Sequence, residues 1–147
     1  MIERLQNIED FVQYFRDLVA EYPEAGTLVY GSSERVVRRQ SYNMDYPLVW
    51  LAMPDVIIQE DNNERYSSTL FFLTDATNEE GEEDDAIIAM YALARKFHLR
   101  LKADANNGLF DYGSTDVVLQ VKARTDADNS HGYVMDFDLI FFGQDCD

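Results

Sequence analysis

The chain reads as an α/β (α+β) domain: a small mixed, mainly antiparallel sheet, two main helices and a long C-terminal β-hairpin. Three observations predict this. Apolar residues recur at three-and-four spacing in two stretches, near 8–22 and near 87–101. Two short runs, around 48–53 and 70–73, are apolar at consecutive positions, as strands covered on both faces are. Two later stretches, 116–125 and 133–142, alternate apolar with polar residues at the period of a half-buried strand. With 147 residues, 46% of them hydrophobic and 13% aromatic, the sequence fits one domain, 1–147, able to build a core without disulfides.

The first helix spans 8–21. Ile8, Phe11, Val12, Phe15, Leu18 and Val19 form its stripe, with Tyr22 just beyond. Asn7 is placed to cap it, Glu9 and Asp10 suit the positive end of its dipole, and Pro23 with Gly26 ends it. A strand at 27–30 leads to a turn at 31–33 and a second strand at 34–42. The third strand, 45–55, is bracketed by Pro47 and Pro54, which points to strand ends or an edge. A polar loop at 61–67 precedes a fourth strand at 68–74. In the third strand Leu48 and Trp50 oppose Val49, Leu51 and Met53. In the fourth, Phe71 and Leu73 oppose Leu70 and Phe72. Two helices cover one face, so the second face calls for a further helix or another subunit.

The second helix starts at 84 or 85 and ends at 101, with Ile87, Met90, Tyr91, Ala94, Phe97 and Leu101 as its stripe. Six acids, Glu79, Glu80, Glu82, Glu83, Asp84 and Asp85, lie before or at its start. Arg95, Lys96, Arg100 and Lys102 lie at its end. Both charge groups suit the helix dipole, about 0.3–1 kcal/mol each when exposed. In the final hairpin, Lys122 is expected opposite Asp136, Val121 opposite Phe137 and Leu119 opposite Leu139, so that charge and apolar pairing agree. A shift of two residues would also keep the faces.

Twelve basic against 28 acidic residues give a net charge of −16. A polyanion is gripped by Lys and Arg that neutralise its phosphates, so this balance argues against tight nucleic-acid binding and against coating an anionic membrane. It is compatible with lining a channel through which DNA slides. The one cysteine, Cys146, excludes a disulfide framework and a Cys-based metal site. The N-terminal residues carry acids and lack the apolar core of a signal peptide, and no run is long enough to cross a bilayer.

Motifs for chemistry are absent. The segment from Asp126 to Gly132 resembles the opening of a calcium loop, but its glycine comes one place late and Phe137 stands where the closing glutamate belongs. The segment from Asp75 fails likewise at Ala86. His98, on the second helix, and His131, in the hairpin loop, do not form a ligand pair. Gly31-Ser32-Ser33 lacks the nucleophile elbow, and the seven glycines do not gather into a phosphate-binding loop. Asp136 and Asp138 share a strand face as a glycosidase pair would, but their expected neighbour Lys122 favours cross-strand charge pairing. No catalytic residue, cofactor or metal site is assigned. One basic cluster, Arg35, Arg38 and Arg39, is suited to pairing with acids of its own fold or to docking on a neighbouring copy.

Element order, the YP-x-V-W-L strand within 45–53, the F-F-L-T-D strand within 68–76 and the terminal hairpin at 132–142 resemble the tail terminator family of tailed bacteriophages, or a related neck (head-tail joining or tail-completion) protein. The resemblance is one of pattern and order over most of the chain. It implies a sheet flanked by helices and a homo-oligomeric ring, six-fold foremost and twelve-fold as the other option. It also implies tail-tube and head-tail connector proteins as partners, DNA that passes without tight binding, a place in the virion tail or neck, and no enzymatic activity. On this reading Arg35, Arg38, Arg39, Trp50, Phe71 and Phe72 are the candidate subunit interface, and Glu79, Glu80, Glu82 and Glu83 the candidate channel or rim acids. The alternative is a non-catalytic bacterial cytosolic module binding a small molecule or a protein.

Overall fold

The structure is a computed structural model that describes residues 5–31, 47–75, 82–113, 116–122 and 130–142, with the backbone alone at 75, 82–84, 122 and 130. Two helices and seven strands form a mixed, mainly antiparallel α+β fold. Helix α1 is Ile8–Glu21, as the spacing predicts. The Asp10 amide donates to the Asn7 side chain at 2.9 Å, and the Asp10 carboxylate accepts from the Gln6 amide at 3.0 Å. The first bond satisfies a donor left over by the helix start, and the second ties the residue before the cap to the first turn. A 3-10 turn, Pro23–Ala25, leads into β1, Thr27–Gly31. The second strand expected at 34–42 lies outside the described residues.

Strands β2, Leu48–Ala52, and β3, Asp55–Ile58, run along the same side of β4, Glu64–Asp75. The sequence reading missed β3 and gave the first residues of β4 to a loop. The break between β2 and β3 is a bulge. Leu51 pairs with Leu70 and Asp55 with Ser67, so three residues on one strand oppose two on the other. Pro54 has no N–H for the ladder, and the Ala52 carbonyl instead accepts the Ser68 hydroxyl at 2.6 Å. The bulge reverses the faces: Leu51 points to the helices, whereas Asp55, four residues on, shares the opposite face with Leu48 and Trp50.

Helix α2 is Glu82–Asn106, five residues longer at its C-terminal end than the spacing indicates. It stops in a Schellman turn. Gly108, at φ 88°, sends its amide to the Ala105 carbonyl at 3.0 Å, and the Leu109 amide reaches the Asp104 carbonyl at 3.2 Å. Because the helix runs on to Asn106, its last turn holds no basic residue. Arg100 instead takes Glu21 of α1 with both guanidinium nitrogens, and its Nε donates to Asp104 at 3.0 Å. Lys96 pairs with Glu24 at 2.9 Å. These two cations therefore tie α2 to α1 and to the turn that follows it.

Strand β7, Ser130–Phe141, pairs with β4 along its full length, from Glu64 opposite Phe141 to Asp75 opposite Ser130. Its outer side carries β5, Asp111–Tyr112, and β6, Leu119–Lys122. The expected hairpin register is wrong by four residues. Lys122 lies opposite Gly132, Val121 opposite Tyr133 and Leu119 opposite Met135. Alternation has period two, so any even shift keeps the faces, and the pattern alone does not choose among them.

Both helices pack on one face of the sheet. Phe11 and Phe15 of α1 meet Tyr66, Phe137 and Phe141, and Phe97 of α2 meets Phe72 edge-on at 5.1 Å between ring centres. His131, expected in a loop, stands on β7 and is fully buried.

Candidate functional site: the sheet face away from the helices

On the face opposite the helices, β4 presents Arg65, Ser67, Thr69, Phe71 and Leu73, and β7 presents Asp136, Asp138 and Ile140. The two ends of this face differ in chemistry. At one end Val29, Leu48, Trp50 and Leu73 form a second, smaller core, with Phe71 stacked on Trp50 at 4.0 Å and nearly parallel. The indole N–H of Trp50 donates to the Gly31 carbonyl at 3.1 Å, so its polar edge is satisfied within the chain.

The other end is a hollow of about 470 Å³. Asp55, Ser67, Thr69, Asp116, Gln120, Asp136 and Asp138 line it, with Val118, Ser68 and Phe137 at its walls. The Thr69 hydroxyl donates to Asp136 at 2.6 Å. Lys122 lies opposite Gly132 and not opposite Asp136, so the register does not set the two residues expected to pair against each other. A hydroxyl of the neighbouring strand holds the carboxylate instead. The amide of Gly113 donates to the Asp138 carbonyl at 2.9 Å and brings the chain after β5 against the rim. Arg65 lies on the same face, and its buried Nε has no hydrogen-bond acceptor among the described residues. Among the described residues, no three His, Cys, Asp or Glu side chains converge closely enough to hold a metal ion. What the hollow offers is an anionic, hydroxyl-rimmed surface open to water, which repels phosphates and attracts amines or guanidinium groups.

The described aromatics expected at a subunit interface fall on different faces of the sheet. Phe72 is fully buried against α2, on the helix face. Trp50 is only 7% exposed, inside the second core. Both belong to the interior of the single chain, because alternation sends Phe72 to the helices and the Phe71 stack closes over Trp50. Phe71 alone remains half-buried on the surface. Arg35, Arg38, Arg39, Glu79 and Glu80 lie outside the described residues, and Glu82 and Glu83 stand at the start of α2.

Sequence reasoning missed the hollow. Its residues come from four strands and the segment before β6, and only Asp136 and Asp138 share a visible alternation.

A second polar cluster joins the helices. The Tyr14 hydroxyl donates to Asp104 at 2.6 Å. Burial first, then this bond to a carboxylate, pushes the phenol well above its ordinary range, while Glu21 holds the Arg100 guanidinium firmly protonated. His98 and Tyr112 hydrogen bond at 3.0 Å across α2 and β5. Burial, with Lys102 adding to it, lowers the imidazole below its usual value. These groups are paired within the fold and brace it. No known protein family, characterised protein or solved structure matches this chain.

Proposed function

We propose that this chain is a structural subunit of the tail terminator or neck of a tailed bacteriophage, forming a ring that caps or joins the tail tube and lets DNA pass. The observation that supports this most is the division of the sheet. Both helices cover one face, while one end of the other presents a hydroxyl-and-carboxylate hollow in a chain of net charge −16. A wall of that chemistry lets a polyanion slide past without holding it, since binding would require cations to replace the phosphate counterions. The α+β architecture agrees with the fold that the sequence resemblance implies. Negative-stain electron microscopy at physiological ionic strength, with and without tail-tube and connector proteins, tests the reading. Rings with a central opening, or stable attachment to those proteins, are expected. A chain that does neither is not a terminator or neck subunit.

The hollow also favours a second reading, a non-catalytic module binding a cationic small molecule or a basic peptide. Four aspartates around about 470 Å³ suit a polyamine or an arginine side chain. Under this reading spermidine or an Arg-rich peptide raises the melting temperature of the wild type but not of Asp136→Asn.

A further inference from the structure

Among the described residues, β3 and β6 each present an exposed aliphatic edge, and the two edges complement each other. Strand β3 has a strand neighbour on one side only among the described residues, and it is exposed on both faces. Val56 is 43%, Ile57 53% and Ile58 70% accessible, with Met53 at 56% beside them. A bare β-branched edge of this kind is a template for strand addition, and folded proteins ordinarily blunt it with charge, proline or a cover. At the far margin, β6 also has one strand neighbour among the described residues, and Val118 and Val121 are 63% and 59% accessible.

We propose that β3 of one copy of this chain pairs with β6 of the next, head to tail, so that the sheet continues from copy to copy. Three features choose this partner. First, β3, β4, β7 and β6 alternate in direction, so β3 and β6 run oppositely within a copy. A neighbour carrying its helices on the same side then meets β6 with an antiparallel β3. Second, one register sets the aliphatic residues of the two edges against each other on the helix side. Asp55 stands opposite Lys122, Val56 opposite Val121, Ile57 opposite Gln120 and Ile58 opposite Leu119. The aliphatic pairs at Val56 and Ile58 fall on the helix side, and positions 55 and 122 share the other. Third, the contact joins two different edges, and contacts of that type generate rings when the rotation closes. Along β7, β6 and β3 are offset by about six residues, roughly 20 Å, across four strand spacings of roughly 19 Å. The strands would then tilt about 45° from the axis, at the upper end of tilts used by closed barrels.

This deepens the ring reading and rests on it for closure, while the pairing itself is testable on purified protein. Residues directly opposite on antiparallel strands have Cα atoms roughly 4.5–5.5 Å apart, within disulfide reach. In a Cys146→Ser background, Asp55→Cys with Lys122→Cys should give a ladder of disulfide-linked multimers on mild oxidation at physiological salt. Each single variant should stay monomeric on a non-reducing gel, and adding Val121→Lys should cut the ladder at least tenfold. Both cysteine positions lie on strand edges, so folding is retained and checked by the far-UV spectrum.

Absence of the ladder overturns the pairing. So does efficient dimerisation of Asp55→Cys alone, which would mean a two-fold β3–β3 contact, and so does a ladder indifferent to Val121→Lys. Rings seen by microscopy without the ladder would leave the terminator reading standing and remove this interface. A ladder in a protein that ignores tail-tube and connector proteins would do the reverse.

Discussion

Tyr14 shows how much a single hydroxyl holds at the residue scale. It donates to Asp104, which Arg100 also engages, and Arg100 in turn holds Glu21. A hydrogen bond to a charged group contributes about 1.5–3 kcal/mol. Tyr14→Phe leaves Asp104 with Arg100 as partner, so a loss of about 1–2 kcal/mol is expected, read as a lower urea midpoint at unchanged slope. His98 makes a prediction in pH. Its folded pKa lies below the ordinary value of 6.5, mainly through burial. As pH falls, the unfolded chain takes up the proton first. The contribution of the neutral imidazole is therefore complete above about pH 6.5 and is lost as pH drops through that value towards the lower folded pKa. Between pH 7.5 and 5.5 the wild type should lose more stability than His98→Gln. Equal slopes would mean that His98 titrates alike in both states.

At the element scale, the long β4–β7 ladder organises the fold, and one glycine guards its register. A Cβ at Gly132 would run into the Phe72 carbonyl of the facing strand, and its φ of 155° suits glycine better than alanine. Gly132→Ala should cost about 2–4 kcal/mol, since overpacking against backbone adds to the dihedral strain. Gly108→Ala, where a Cβ meets open space but φ is 88°, should cost about 1 kcal/mol. Thermal melts of the two variants side by side test whether the close approach or the dihedral matters more. Helix α1 and the faces of β2 and β4 were legible in sequence because each carries a strict period and helix α1 also carries its cap. Strand β3 was not, because a bulge at Ala52–Pro54 inverts the alternation there. The β6–β7 register was not either, since Leu119, Val121 and Ala123 present the same pattern after every shift of two.

For the whole molecule, charge and shape pull against each other. Copies of net charge −16 repel, while two exposed aliphatic edges favour contact. Self-association should therefore tighten as salt rises from about 0.02 to 0.15 M, where the screening length falls below roughly 10 Å. Sedimentation velocity at several salt concentrations measures this. Weakening with salt would mean that charge attraction, as between Arg35, Arg38 and Arg39 and the acids of a neighbour, drives assembly instead. DNA retention should stay negligible throughout this range, because the chain sets only 12 basic residues against 28 acidic ones.

The sequence by itself determined the fold class, the amphipathic helix α1 and the acidic surface. Those follow from local periodicity, capping and composition, which act within a few residues of each other. Tertiary structure decided which aromatic belongs to which side. Phe72 and Trp50 look equally apolar in sequence, yet one lies under α2 and the other in a separate small core. It also decided where the surface is concave and which strand edges stand open among the described residues. The hollow needs Asp55, Asp116, Asp136 and Asp138 from distant segments, and the free edges depend on which strands find neighbours. Both result from long-range pairing between β4 and β7, an outcome that no local pattern encodes.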